Sequence, residues 1–161
     1  MLDRSQTQPG QGADVIARAV GALALAALAV IHVVDLPATL GPLPLIGAGY
    51  LGIIIAAVLV GGVMITRSHW LVWAAAGGLA VSAMGGYVLT RALPGGFLGD
   101  HADVGNWRCP LGIAALSVET LVILLAVLTA WQARAHAATV AARPRSRAGR
   151  QAPARPGPGP R

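Results

Sequence analysis

The strongest constraint in this sequence is a set of long apolar stretches that carry no charge. No Asp, Glu, Lys or Arg lies between Leu36 and Thr66, or between Trp70 and Thr90. About 20 apolar residues are enough for a helix to cross a hydrocarbon core about 30 Å thick. Charged residues make up 11% of the 161 residues, against roughly a quarter in soluble domains. The composition therefore indicates an integral membrane protein. It argues against a soluble enzyme, a nucleic-acid-binding module and a secreted disulfide scaffold.

Four apolar segments predict an all-α fold, a four-helix transmembrane bundle. The spans are expected at about 15–36, 45–66, 70–93 and 111–132. Pro37 is expected to end the first span, because proline breaks helices. The polar residues 1–14 and the Arg/Pro-rich residues 133–161 are predicted to be disordered. The alternative for the first span, a cleaved signal peptide, is disfavoured because no A-x-A cleavage site follows it.

The distribution of arginine predicts the orientation. The chain has 12 Arg and no Lys. With four spans, ten of these Arg share one side of the membrane, and only Arg91 and Arg108 lie on the other. The positive-inside rule then predicts a multi-pass protein of the bacterial plasma membrane with both termini in the cytoplasm. The basic tail is expected to bind anionic lipid headgroups, and neither nucleic acid nor a cofactor is expected as a partner.

Small residues are expected to mediate the packing, because water does not drive helices together inside lipid. The third span has a small residue at every fourth position from 74 to 90. Its predicted packing residues are Ala74, Gly78 and Gly86. Those of the second span are Ala48, Gly52 and Ala56, with Gly49, Ala57 and Gly61 on the neighbouring stripe. This spacing predicts a compact bundle.

Glu119 is the most informative polar residue. It lies nine residues after Pro110, which is about 13 Å along a helix axis and so near the bilayer midplane. Ionisable residues at such depth are functional-site hypotheses. The alternative is a structural role, in which the protonated Glu119 hydrogen-bonds Ser82 at a similar depth. No Arg is expected at this depth, so desolvation should keep the carboxyl group neutral.

His32 and Asp35 form a second polar pair, near the outer end of the first span. Their spacing places them on one helix face. They could serve as a metal or haem ligand, a proton relay or a polar plug. Two His and three Asp would lie on this side of the membrane if Asp100, His101 and Asp103 of the following loop are included. These three loop residues are only weak metal candidates, and no metal site is predicted, because their spacing matches no ligand signature.

A run of short motifs covers residues 87–122. It comprises Tyr87 and Arg91 at the end of the third span, LPG at 93–95, DVGNW at 103–107, PLG at 110–112 and Glu119. This run resembles a segment of small four-span integral membrane proteins of actinobacteria. A His near the outer end of their first span would correspond to His32. The resemblance implies the four-span architecture and no particular activity.

The function predicted from the sequence is that of a non-enzymatic accessory or interaction subunit. No catalytic motif is present, and the expected partners are another membrane protein or a second copy of the chain. One alternative is a small oligomeric proton-coupled transporter that uses Glu119 and His32. Another is a membrane redox subunit in which His32 binds the cofactor.

Overall fold

A computed structural model of the chain describes residues 9–67 and 69–142. Within them four α-helices follow one another, with no regular β-strand. The helices are α1 (Pro9–Leu40), α2 (Pro44–Thr66), α3 (Trp70–Ala92) and α4 (Pro110–Ala142). Each contains a segment that is long and apolar enough to span a membrane. The chain is therefore an all-α, multi-pass membrane protein, as its charge-free stretches predict.

The internal contacts divide the chain into two units, Met1–Ala130 and Trp131–Arg161. The first unit contains α1, α2, α3 and residues 110–130 of α4. The described part of the second unit is the last segment of α4, residues 131–142, whose described side chains are all exposed. Disorder was expected from residue 133, but the structure continues the helix for ten residues. The predicted disordered residues 1–8 and 143–161 lie outside the described residues.

The first helix is longer at both ends than the sequence predicts. It begins at Pro9, so residues 9–14 are helical, and it runs through Pro37 to Leu40. The prediction that Pro37 ends the helix is therefore wrong. The Thr39 hydroxyl donates to the carbonyl oxygen of Asp35 over 2.8 Å.

The core lies where all four helices meet. Its buried residues are Ala24, Leu25, Leu28 and Ala29 of α1, Ala57 and Met64 of α2, Trp73, Ala76 and Ala80 of α3, and Val122 of α4. Half of them are alanines, which let helix backbones approach closely. Gly21 acts in the same way, because a Cβ there would lie 2.7 Å from Met64 Sδ and 2.9 Å from a ring carbon of Trp73. Close van der Waals contact therefore holds the helices together.

The predicted packing face of α3 is wrong. Ala74 and Gly78 are exposed, and a Cβ at Gly78 or Gly86 would meet nothing within 4 Å. The buried residues of α3 that replace them are Trp73, Ala76, Ala80 and Ala83. The physical reason is Trp73, which is only 5% exposed. Burying so large a ring fixes the rotation of α3, and small residues on the other side cannot compete with that contact area.

The second helix also packs through a face other than the one predicted. Gly52 is exposed and Ala56 is half-buried, whereas the neighbouring Ala57 and Gly61 are buried. A Cβ at Gly61 would lie 3.6 Å from Leu25 Cβ, so this stripe is the one that contacts α1. The predicted packing role of Gly52 is therefore wrong, and the neighbouring stripe carries the contact.

The loop of residues 93–109 joins α3 to α4, and we call the end of the bundle that carries it the loop end. Its backbone takes positive φ values at Gly96, Leu98, Gly99 and Gly105. At Gly96 a Cβ would lie 2.8 Å from the carbonyl oxygen of Asp100, so only glycine fits there. Leu98 holds φ 53° despite its side chain. The loop is thus bent sharply back over the helices.

Candidate functional site

A cavity of about 220 Å³ lies among the helices toward the loop end. All four helices and the loop line it. The polar residues of the lining include His32, Asp35, Tyr50, Ser82, Arg91 and Glu119. A protein cavity of about 150 Å³ is large enough for benzene. This one, which we call the Glu119 cavity, therefore has room for a small organic molecule.

Glu119 lies at the deep end of the cavity. Its position nine residues into α4 puts it about 13 Å from the loop end along the helix axis. The residue is 1% exposed, and its Oε2 has no hydrogen-bond partner among the described residues. The ion pairs in the described part of the chain are Asp14–Arg18 and Arg91–Asp103, so neither involves Glu119. An unpaired buried acceptor costs about 1–3 kcal/mol. The carboxyl group is thus available to a proton or a ligand.

The predicted hydrogen bond between Ser82 and Glu119 is absent. Ser82 does line the cavity, as its depth predicts. Its hydroxyl, however, donates over 2.7 Å to the carbonyl oxygen of Leu79 on its own helix. Ser82 therefore does not hold Glu119 in place, and the hydrogen bond on which a structural role for this pair would depend is not formed.

His32, Tyr50 and Asp35 form a polar group on the α1–α2 side of the cavity. His32 Nδ1 lies 2.9 Å from the carbonyl oxygen of Leu28. Since a carbonyl can only accept, Nδ1 is the donor in this contact. The ring meets that of Tyr50 edge-on, with centroids 4.9 Å apart. Asp35 and Tyr50 line the cavity together with His32. The sequence predicts that His32 and Asp35 share one helix face, and the structure adds Tyr50 of α2 beside them.

Arg91 anchors the loop over the cavity. Its Nε donates to the carbonyl oxygen of Asn106 over 3.1 Å, and its Nη2 lies 3.1 Å from Asp103 Oδ2. Nη1 donates to Thr90 Oγ1 over 2.7 Å, and the guanidinium carbon lies 3.7 Å from the centroid of the Tyr87 ring. Arg91 is only 8% exposed. These contacts occupy the guanidinium group and hold the loop against the end of α3. We call the two contacts with Asn106 and Asp103 the Arg91 clamp.

The loop residues considered for a metal do not converge on one point. Asp100 Oδ1 accepts from the backbone N–H of Asp103 over 3.2 Å, and the Asp103 carboxylate pairs with Arg91. His101 is exposed. In the described part of the chain, no group of three His, Cys, Asp or Glu side chains is placed to hold a metal ion. Asp100 and Asp103 instead shape the loop.

Sequence reasoning missed the roles of two residues at this site, Tyr50 and Arg91. No site role was predicted for Tyr50, and Arg91 was used only for the topology and in the run of motifs over residues 87–122. The signal for Arg91 lay in its spacing from the DVGNW turn, since the clamp joins it to Asp103 and Asn106 of that turn. No sequence signal indicates that Tyr50 contacts His32, because that contact depends on the rotation of two helices.

No family model, curated protein or solved structure matches this chain. The resemblance to small actinobacterial four-span proteins therefore stays a prediction. Any functional argument has to rest on the site itself.

Proposed function

We propose that this protein is a small-molecule carrier of the bacterial plasma membrane. It would bind its ligand in the Glu119 cavity and use Glu119 as the group that exchanges protons. The observation that carries this proposal is the Oε2 of Glu119, buried and without a hydrogen-bond partner among the described residues, at the end of a cavity large enough for a ligand. No catalytic step is part of the proposal.

The energetic cost of Glu119 supports a role in binding. Ionisable residues inside membrane spans are rare and mark ion, proton and substrate pathways, and a buried acceptor without a partner costs about 1–3 kcal/mol. Packing alone would be served better by an apolar residue, since the walls around Glu119 include Ile53, Ala83 and Ala115. His32 lines the same cavity.

The orientation is part of the proposal. With both termini in the cytoplasm, the loop end and the mouth of the cavity would face the outside. Ten Arg against two support this arrangement. Reporter fusions at the two termini test it, with cytoplasmic signals expected at both. An external signal at the C-terminus would contradict the four-span topology.

The binding proposal is tested with a cavity-filling variant. Gly86 lines the cavity, and a Cβ there meets nothing within 4 Å, so Gly86→Leu should fill the cavity without disturbing the fold. Gly78→Leu is the matched control on the same helix, because Gly78 is exposed and equally free of close neighbours. The assay is the thermal stability of the full chain in lipid nanodiscs, in the presence of one-ring amines, alcohols and carboxylates.

At least one of these three classes should stabilise the wild type and Gly78→Leu, and have no effect on Gly86→Leu. Stabilisation of all three proteins alike would place the binding outside the cavity and contradict the proposal. The absence of any stabilisation would contradict it as well. The accessory-subunit function and the redox-subunit function remain predictions from the sequence.

A further inference from the structure

The Glu119 cavity has an unbalanced set of charges. Its described lining contains one residue with a permanent positive charge, Arg91, and two acids, Asp35 and Glu119. Arg91 is committed to Asp103 and Asn106 through the Arg91 clamp. Asp35 brings a second carboxyl group to the cavity. The buried acceptor that has no hydrogen-bond partner among the described residues is Oε2 of Glu119.

The polar groups are arranged by depth. Arg91 lies at the end of α3, and Glu119 lies nine residues into α4, about 13 Å from the loop end along the helix axis. The walls between are largely apolar, including Ile31, Ile53 and Ala83. A volume of about 220 Å³ exceeds the roughly 150 Å³ that holds benzene. It therefore suits a single ring with a short side arm.

We infer that the ligand is a small organic cation, a protonated primary amine on a one-ring apolar body, with its ammonium group bound by Glu119. This inference rests on the proposed function and specifies its substrate class. An ammonium group supplies three donors and the positive charge that the cavity lacks. An anion would have to sit between Asp35 and Glu119 with no uncommitted cation beside it. A neutral alcohol would offer one donor and no charge.

Binding of the amine exchanges it for a proton. The neutral Glu119 carboxyl group releases H⁺, and the resulting carboxylate pairs with the incoming R–NH₃⁺, so charge and atoms balance. The other titratable or charged groups that face the cavity are His32 and Asp35 of α1, Tyr50 of α2, Tyr87 and Arg91 of α3, and Cys109 of the loop. The exchange keeps the net charge of the cavity constant whether it is empty or occupied.

The experiment is calorimetric titration of the full chain in lipid nanodiscs with three probes of matched shape: 2-phenylethylammonium, 2-phenylethanol and 3-phenylpropionate. Empty nanodiscs correct for partition into lipid. Repeating each titration in buffers of different ionisation enthalpy counts the protons released. Thr120→Val is the matched control for Glu119→Gln, because Thr120 is the next residue of α4 but is exposed and bonded to the carbonyl oxygen of Leu116.

The ammonium probe should bind the wild type and Thr120→Val at least roughly tenfold more tightly than the alcohol, a fold-change that corresponds to about 1.4 kcal/mol. It should release one proton per molecule bound. Glu119→Gln should lose both the preference and the proton release. Gly86→Leu should block all binding while keeping the carboxyl group, so it also tests the inference if Glu119→Gln fails to fold.

Other outcomes separate the inference from the function on which it rests. Tighter binding of the carboxylate or the alcohol, blocked by Gly86→Leu, would overturn the cationic substrate class and leave the cavity as a binding site. Amine binding without proton release would overturn the exchange. Failure of all three probes to bind the wild type would overturn the inference together with the proposed function.

Discussion

Replacing Arg91 should open the loop over the Glu119 cavity. The Arg91 side chain makes two contacts with the loop, from Nε to the Asn106 carbonyl oxygen at 3.1 Å and from Nη2 to Asp103 Oδ2 at 3.1 Å. Arg91→Met keeps much of the apolar length of the side chain and removes both contacts. The bonds to Thr90 and Tyr87 stay within the helix and do not hold the loop.

The magnitude follows from the burial of the two partners. A hydrogen bond to a charged group contributes about 1.5–3 kcal/mol. The Arg91 side chain is 8% exposed, but that of Asp103 is 32% exposed. The ion pair is therefore partly screened, and we assign it about 0.5–1 kcal/mol. Together the two contacts stabilise the closed loop by about 2–4 kcal/mol, which corresponds to a roughly 30- to 900-fold change in the opening equilibrium.

Hydrogen–deuterium exchange measures this opening directly. The backbone N–H of Gly105 donates to the carbonyl oxygen of Arg91 over 3.0 Å, so its exchange reports separation of the loop from α3. The loop peptide of Arg91→Met should exchange faster by that factor, whereas peptides of α2 should be unchanged. Arg108→Met is the control, because Arg108 is exposed in the same loop. Equal acceleration in the two variants would refute the clamp and leave a general loss of positive charge as the cause.

Three further predictions concern other parts of the chain. Infrared spectroscopy should show Glu119 as a neutral carboxylic acid at pH 7, because no described cation pairs with it; a carboxylate band removed by Glu119→Gln would show the prediction to be wrong. Gly112→Ala should lower the free energy of unfolding by about 1–3 kcal/mol, because the added Cβ would collide with the ring of Tyr87. Gly85→Ala is the control and should leave it unchanged, because a Cβ there meets nothing within 4 Å. A peptide of residues 134–161 should bind acidic vesicles at low salt, with about 1 kcal/mol for each Arg near the surface, and dissociate as salt rises; binding that is independent of salt would indicate a specific receptor.

The sequence predicts position along each helix well and rotation about it poorly. Charge-free length locates α2 and α3 to within a residue, and the helical rise gives the depth of Glu119 and His32. The predicted rotation of α3 is wrong because alanine, glycine and serine occur on several of its faces. A four-residue spacing of small residues therefore arises on more than one face. The contact that decides the face is the burial of Trp73, which requires partners on α1 and α2.

The candidate site was predictable to the same extent. His32, Asp35, Ser82 and Glu119 all line one cavity, although the sequence predicts only their depths along the helices. The predicted hydrogen bond did not follow, because Ser82 bonds its own helix. The contact of Tyr50 with His32 joins two helices, so the packed core sets it and no local pattern in the chain encodes it.

The composition of α4 has a consequence for biogenesis. A helix that leaves the translocon with an ionisable residue at its centre meets a cost of about 2.5–3.5 kcal/mol. Eleven Leu, Ile and Val residues lie between positions 111 and 128. At about −0.3 to −0.6 kcal/mol each, they favour insertion by about 3–7 kcal/mol. The last span should therefore enter the bilayer without help from the first three, and Glu119 needs no partner helix during synthesis.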